Sequence, residues 1–286
     1  MRSMAKLLAV VTTTAVMAAG MATPASAASV NKLQISQNAS GQLTIQQGQT
    51  LKAGPVIDAQ VSSTYATADP EIFQLRNGAT LAQVDAQIVL AGQGGQTAAT
   101  AMQWFNQNTT FYGGLSAPGT VSFHLVMPAG TYYVAQMNPS GTVKPSTTAK
   151  QFVVAGRSSA IQPITDQTLK MNDVTTDRFI IESVSGQLHV GQVNVVNRSS
   201  EMHFARFVQV RPGTTDAQVD AWLAGGTDPT VPGGKVLGFG TVSSQRTALL
   251  DFGVTPGTYV VLDFIPDKVT GTPHSLQGMH LVVTVS

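Results

Sequence analysis

Apolar and polar residues alternate along most of this chain in short runs cut by turn residues, the pattern of strands. In the C-terminal part the runs predict strands near Arg178–Val184, Leu188–Asn197, His203–Val210, Lys235–Val242, Thr247–Phe252, Tyr259–Ile265 and His280–Val285. One stretch reads differently. Thr215–Ala224 predicts a helix, with Asp216 early, where the helix dipole favours an anion, and Gly225-Gly226 as its stop. A matching helix is expected near Leu81–Leu90, followed by a further apolar–polar segment, Thr97–Asn106, carrying Met102, Trp104 and Phe105.

The patterns come twice. Ile72-Phe-Gln-Leu75-Arg76-Asn-Gly78-Ala-Thr-Leu-Ala82-Gln-Val-Asp-Ala86 returns as Phe207-Val-Gln-Val210-Arg211-Pro-Gly213-Thr-Thr-Asp-Ala217-Gln-Val-Asp-Ala221. Pro128-Ala-Gly130-Thr-Tyr132-Tyr-Val134 returns as Thr255-Pro-Gly257-Thr-Tyr259-Val-Val261, and each copy closes with an apolar strand. Two motifs recurring in one order at similar spacing imply duplication of a whole domain. The expected units are residues 28–156 and 175–286, with 157–174 as a polar linker broken by Pro163. Short strands between turns suit Greek-key sandwiches, so the fold class is all-β: two tandem sandwiches, each with a short helix.

Composition adds exclusions. Only 11% of the 286 residues are charged, and the formal net charge is +1. Met1–Ala27 has Arg2 and Lys6, an apolar run and an Ala25-Ser26-Ala27 end, the form of a secretory leader. Without it the chain has 14 basic and 15 acidic residues and no basic run, which disfavours nucleic acid as a partner. No later segment is long and apolar enough for a membrane span, so a secreted protein with an extracellular partner or ligand is expected. There is no cysteine, so disulfides, thiolate nucleophiles, iron–sulfur clusters and a blue-copper centre are all excluded.

The C-terminal stretch carries the one candidate chemistry. Between the strand Tyr259–Phe264 and the final strand lie His274 and Met279, an imidazole and a thioether in one loop, a pairing that can hold a soft metal. Gly257-x-Tyr259-x3-Asp263, then His274-x4-Met279 and a last strand, resembles the C-terminal ligand loop of cupredoxins, the blue-copper domains, and in looser form that of secreted actinobacterial cupredoxin-like proteins. The resemblance implies that Asp263 stands where the family has its Cys, and the stretch from Asp263 to His274 is longer than the family's spacing. It also implies an upstream His at the start of a strand, a place that His203 fills. The candidate metal set is therefore His203, Asp263, His274 and Met279. In the first copy Ala68 stands opposite His203 and Gln136 opposite Asp263, while His274 and Met279 have no counterparts.

Other residues carry bland readings. His124 and His189 sit in strands without a partner histidine, His280 is expected to face solvent, and Asp216, Asp220 and Glu201 read as solvated. Arg76 and Arg211 recur at the same strand end and read as structural. Trp222, and Trp104 with Phe105 and Tyr112, read as core. No His-x-His pair, His-Glu-x-x-His, Gly-x-Ser-x-Gly or P-loop is present. The expectation is a secreted, non-enzymatic binding or structural protein, not an enzyme, with a vestigial site and no cofactor. The alternative is a copper-binding protein that takes Cu(I) through His203, His274 and Met279.

Overall fold

A computed structural model describes residues 31–46, 51–53, 56–138, 143–156, 165–173, 177–183 and 186–286. The leader Met1–Ala27 lies outside the described residues, as do 139–142 of the first copy's loop and residues 157–164 and 174 of the expected linker.

The first half runs β1 (Lys32–Gln37), β2 (Leu43–Gln46), β3 (Leu51–Lys52), β4 (Ile57–Ser63), β5 (Pro70–Leu75), α1 (Leu81–Ala91), α2 (Gly95–Asn108), β6 (Thr109–Gly114), β7 (Gly119–Leu125), β8 (Gly130–Gln136), α3 (Pro145–Thr148) and β9 (Lys150–Ala155). The second half runs β10 (Gln167–Asp173), β11 (Asp177–Ser183), β12 (Gly191–Asn197), β13 (His203–Gln209), α4 (Asp216–Leu223), β14 (Val236–Val242), β15 (Thr247–Phe252), β16 (Gly257–Leu262), a 3-10 turn (His274–Gln277) and β17 (His280–Val285).

The pairing repeats strand for strand. β1 pairs antiparallel with β2 and parallel with β4, which pairs with β7; β10 does the same with β11 and β12, which pairs with β15. On the other face β5 lies between β6 and β8, and β8 pairs with β9; β13 lies between β14 and β16, and β16 pairs with β17. Register confirms the duplicated motifs: Ile72 faces Val134, and Phe207 faces Val261. The copied turns share their detail. Gly78 and Gly213 take φ of 72° and 81°, a region that only glycine enters without strain. Thr80–Gln83 and Thr215–Gln218 both close capping boxes on α1 and α4. The Tyr132 and Tyr259 hydroxyls, on wholly buried rings, donate to Pro128 O at 2.6 Å and Thr255 O at 2.8 Å.

The two halves join edge to edge. β7 pairs with β15 and β6 with β14, so among the described residues an eight-stranded and a nine-stranded sheet run through the molecule. One apolar core spans both halves, with Phe123 and Phe239 edge to face at 5.2 Å across the seam. The linker reading needs correction, because β10 occupies residues 167–173 of the expected 157–174. Its alternation is short and mixed with Lys170 and Asn172, but Leu169 and Met171 are buried, which makes it a strand of the second sandwich. The extra segment of the first half is the fourteen-residue helix α2, which buries Met102 and Phe105 against Phe73 and Phe111. Its other consequence is local: α2 lies over the loop that leads to His274. The Gln103 amide donates to Lys268 O at 2.8 Å, and Gly271 packs against Gly95.

Candidate metal centre

His203 is the first residue of β13 and faces Val242 of β14, with a bulge before Ala205 that turns it off the regular ladder. Asp263 follows the last residue of β16, the strand paired with β13. The 3-10 turn is tied back to that strand end by His274 N donating to Ile265 O at 3.0 Å and Ser275 N to Asp263 O at 2.7 Å. Gly278 ends it at φ 97°. Asp177 opens β11 on the opposite sheet. Three loops at one end of the second sandwich thus aim polar side chains into one buried space.

The His203 and His274 rings are wholly buried and stand edge to face, with centroids 4.5 Å apart. Asp263 joins them on one side: its Oδ2 lies 2.6 Å from His203 Nδ1 and 3.3 Å from His274 Nδ1. Asp177 approaches from the other side, with Oδ2 3.0 Å from His274 Nε2 and 3.7 Å from His203 Nε2. Glu201 Oε2 stands 3.6 Å from His274 Nε2. Of these contacts, only His203 Nδ1 to Asp263 has hydrogen-bond alignment. His203 Nε2, both ring nitrogens of His274 and Asp177 Oδ1 are buried without a hydrogen-bond partner. His274 Nε2 therefore lies between Asp177 and Glu201, and His203 Nε2 stands near Asp177, with no hydrogen bond made by either.

Electrostatics follow the geometry. Burial pulls the His274 imidazole down, but Asp177, Asp263 and Glu201 outweigh it and carry its pKa up to about 12. The same opposition, burial against Asp177 and Asp263, leaves His203 raised. Burial pushes Asp177 and Asp263 up, and the two imidazoles reverse this and hold both below the usual carboxylate range. Two imidazolium charges and Lys268, 3.5 Å from Glu201, oppose Asp177, Asp263, Glu201 and the less buried Asp267. A divalent cation with two neutral imidazoles carries the same charge as two imidazolium rings, so exchange of one for the other leaves the charge of the buried space unchanged.

The structure brings His203, Asp263 and His274 together and puts Asp263 against the Nδ1 atoms. It places Met279 in the apolar core with Phe207 and Tyr259, its N–H donating to His274 O at 2.9 Å. Sequence reasoning missed Asp177, Glu201 and Asp267. Glu201 is not solvated but 5% exposed, covered by the 267–272 loop, whose Lys268 N–H donates to it at 2.8 Å. His280 does not face solvent either: its side chain is 5% exposed and its Nε2 lies 2.8 Å from Asp220 Oδ1, because α4 packs over the strand it begins. Asp177 pairs with Asp173 at the end of the β10–β11 ladder, beyond the part that matches β1 and β2, where Gln37–Leu43 corresponds to Met171–Phe179. In the first half the space around Gln136 is filled by neutral groups: Gln37 donates to Gln136 at 2.9 Å and Gln136 to Thr67 O at 2.6 Å.

No protein-family model and no curated protein matches the sequence. Among solved structures, reduced auracyanin from Roseiflexus castenholzii is 22% identical, with 43% of this chain and 99% of that chain covered and a TM-score of 0.24. A multicopper oxidase is 11% identical over 89% of this chain and 88% of its own, with a TM-score of 0.21. The Cu-containing nitrite reductase from Thermus scotoductus is 11% identical over 89% of this chain and 61% of its own, with a TM-score of 0.23. The fold is all-β, two tandem sandwiches of one repeated strand pairing with short helices, and that statement stands on the pairing itself. The expectation of a non-enzymatic protein is withdrawn: an oxidase and a reductase stand among these neighbours, and a β-sandwich fold gives no ground for excluding catalysis. Among the described residues no helix is long and apolar enough to cross a membrane.

Proposed function

We propose that the second sandwich binds a divalent transition-metal ion, Cu(II), through His203 Nε2, His274 Nε2 and Asp177. One observation carries this reading: these two wholly buried ring nitrogens lack hydrogen-bond partners and, with an Asp177 oxygen, form a set of ligand atoms all within 4.8 Å of one another. Two imidazoles and a carboxylate suit Cu(II) and Zn(II), and copper binds such a set more tightly than its neighbours in the first transition row. Cu(I) is less suited, since the groups around the two imidazoles are carboxylates. Asp263 then acts from behind, hydrogen-bonded to His203 Nδ1 as outer carboxylates commonly are to ligating histidines and standing 3.3 Å from His274 Nδ1. Without a thiolate the bound copper gives no intense blue absorption.

Titration of the purified protein with Cu(II), read by electron paramagnetic resonance, tests this. One equivalent should give an axial, non-blue signal, and His203→Ala or His274→Ala should each abolish stoichiometric uptake, while Ala68→Ser in the first half leaves it intact. Failure of the unaltered protein to take up one equivalent overturns the reading. We further infer export, with cleavage after Ala27. Mass spectrometry of secreted material should find Ala28 first, and a retained leader counts against export.

A further inference from the structure

The buried space offers a second, overlapping cation position. Asp177, Glu201, Asp267 and His274 present one ligand atom each, all within 4.8 Å of one another, while the inner set is Asp177, His203 and His274. The two sets share His274 and Asp177. His274 Nε2 has one lone pair and can ligate one ion at a time, so the positions exclude each other as sites filled together. They differ in chemistry: the inner set has two imidazoles, the outer three carboxylates and one imidazole. Carboxylate-rich sets accept harder, more hydrated ions such as Mn(II). The outer set is more than a cluster of acids, because the wholly buried His274 aims an unpartnered Nε2 between Asp177 and Glu201.

The outer set also lies next to the surface. A cleft of about 350 Å³ between α2 and the 267–272 loop is lined by Gln103, Asn106, Gln107, Ser200, Lys268 and Val269. Its floor is Lys268, whose ammonium donates to Ser200 O at 3.1 Å and Ser200 Oγ at 2.8 Å and stands 3.5 Å from Glu201 Oε1. The path inward is therefore short: cleft, Lys268, Glu201, His274. All but the cleft walls of α2 belong to the second half, and α2 is the segment for which the second half has no counterpart.

We propose that the outer set is a loading position for a hydrated divalent cation on its way from this cleft to the inner centre, with Lys268 as its gate. With the Lys268 ammonium against Glu201, a positive charge bars the path. Swung out to solvent, it leaves Glu201 and Asp267 to take the cation, shed water and pass it to His203 as His274 keeps hold. The transit role rests on the proposed metal centre; the outer site itself does not.

Two measurements on the full protein test it. In stopped-flow mixing with Cu(II), Glu201→Gln alone and with Asp267→Asn should slow association by about tenfold while the equilibrium dissociation constant moves by less than about threefold. Lys268→Ala should speed association. His203→Gln should lose Cu(II) affinity by more than about a hundredfold yet still hold one Mn(II) by electron paramagnetic resonance, and adding Glu201→Gln with Asp267→Asn should remove that ion. Unchanged association rates in the Glu201 and Asp267 variants overturn the loading role. No Mn(II) bound to a folded His203→Gln protein overturns the outer site. Mn(II) bound by that variant when the unaltered protein takes no Cu(II) upholds the outer site and sinks the inner centre alone.

Discussion

Asp263 shows how much depends on one side chain at this site. It stands where the resembling family has its thiolate, yet it is wholly buried and its Oδ2 reaches both Nδ1 atoms, at 2.6 Å and 3.3 Å. Its Oδ1 accepts from Ile265 N at 2.8 Å, so the carboxylate is also a strut for the loop that carries His274. Removing one partner of a buried ion pair leaves the other charge uncompensated, which costs more than the pair itself contributes. Asp263→Asn keeps the shape and removes the charge. It should therefore destabilise the metal-free protein by about 3 kcal/mol, read from the midpoint of urea unfolding. Asp177→Asn, whose side chain keeps 8% exposure and some contact with water, should cost less. Equal, small effects for both would mean that the imidazoles bury no charge.

At the scale of elements, the duplication, the helices α1 and α4 and the strand that starts with His203 were legible, because each rests on a local rule: a repeated turn glycine, an early helix acid with a Gly-Gly stop, alternation. The carboxylates were not. Glu201 sits in a polar run, Arg198-Ser-Ser-Glu201, with no periodicity to mark an inward face, and its burial is made by a loop 67 residues away. Asp177 became visible only through register, where its partner strand fixes it opposite Asp173. β10 was lost to the linker because two buried apolar residues give little alternation to see. The seating of α2 on the 267–272 loop is likewise non-local, and Gly271 carries it. At φ 69°, a Cβ there would overlap Gly95 O and stand 3.0 Å from Ala99 N. Gly271→Ala must strain the backbone and push α2 away, so a loss of at least about 2 kcal/mol is expected in thermal unfolding. Hydrogen exchange of the amides of residues 267–272 should rise with it. A variant as stable as the parent would show that helix and loop do not pack as described.

At the scale of the whole molecule, the two sandwiches share two sheets and one core, so their seam should unfold with the rest rather than part as a hinge. One polar device crosses it on the eight-stranded sheet. His124 of β7 lies between Asp58 of β4, at 2.8 Å from its Nδ1, and Asp251 of β15, at 3.0 Å from its Nε2, while the Gln192 amide donates to the same Asp251 oxygen at 3.0 Å. The hydrogen bond to Asp251 leads the opposing effect of burial, Asp58 adds to it, and together they lift the imidazole to about 9. An unfolded histidine titrates near ~6.5, so the folded state holds this proton more tightly. The stabilisation is therefore fully present below ~6.5 and is lost as pH rises through about 9. The side chain is 21% exposed and its partners 40%, so solvent screening limits the effect to about 1 kcal/mol. His124→Gln keeps a polar neighbour for both carboxylates but cannot carry the charge. Unfolding free energies of parent and variant should differ most near pH 6 and converge above about pH 9, and the difference should shrink as salt rises. A difference that stays constant across that range would mean that packing, and not charge, is what His124 brings to the seam.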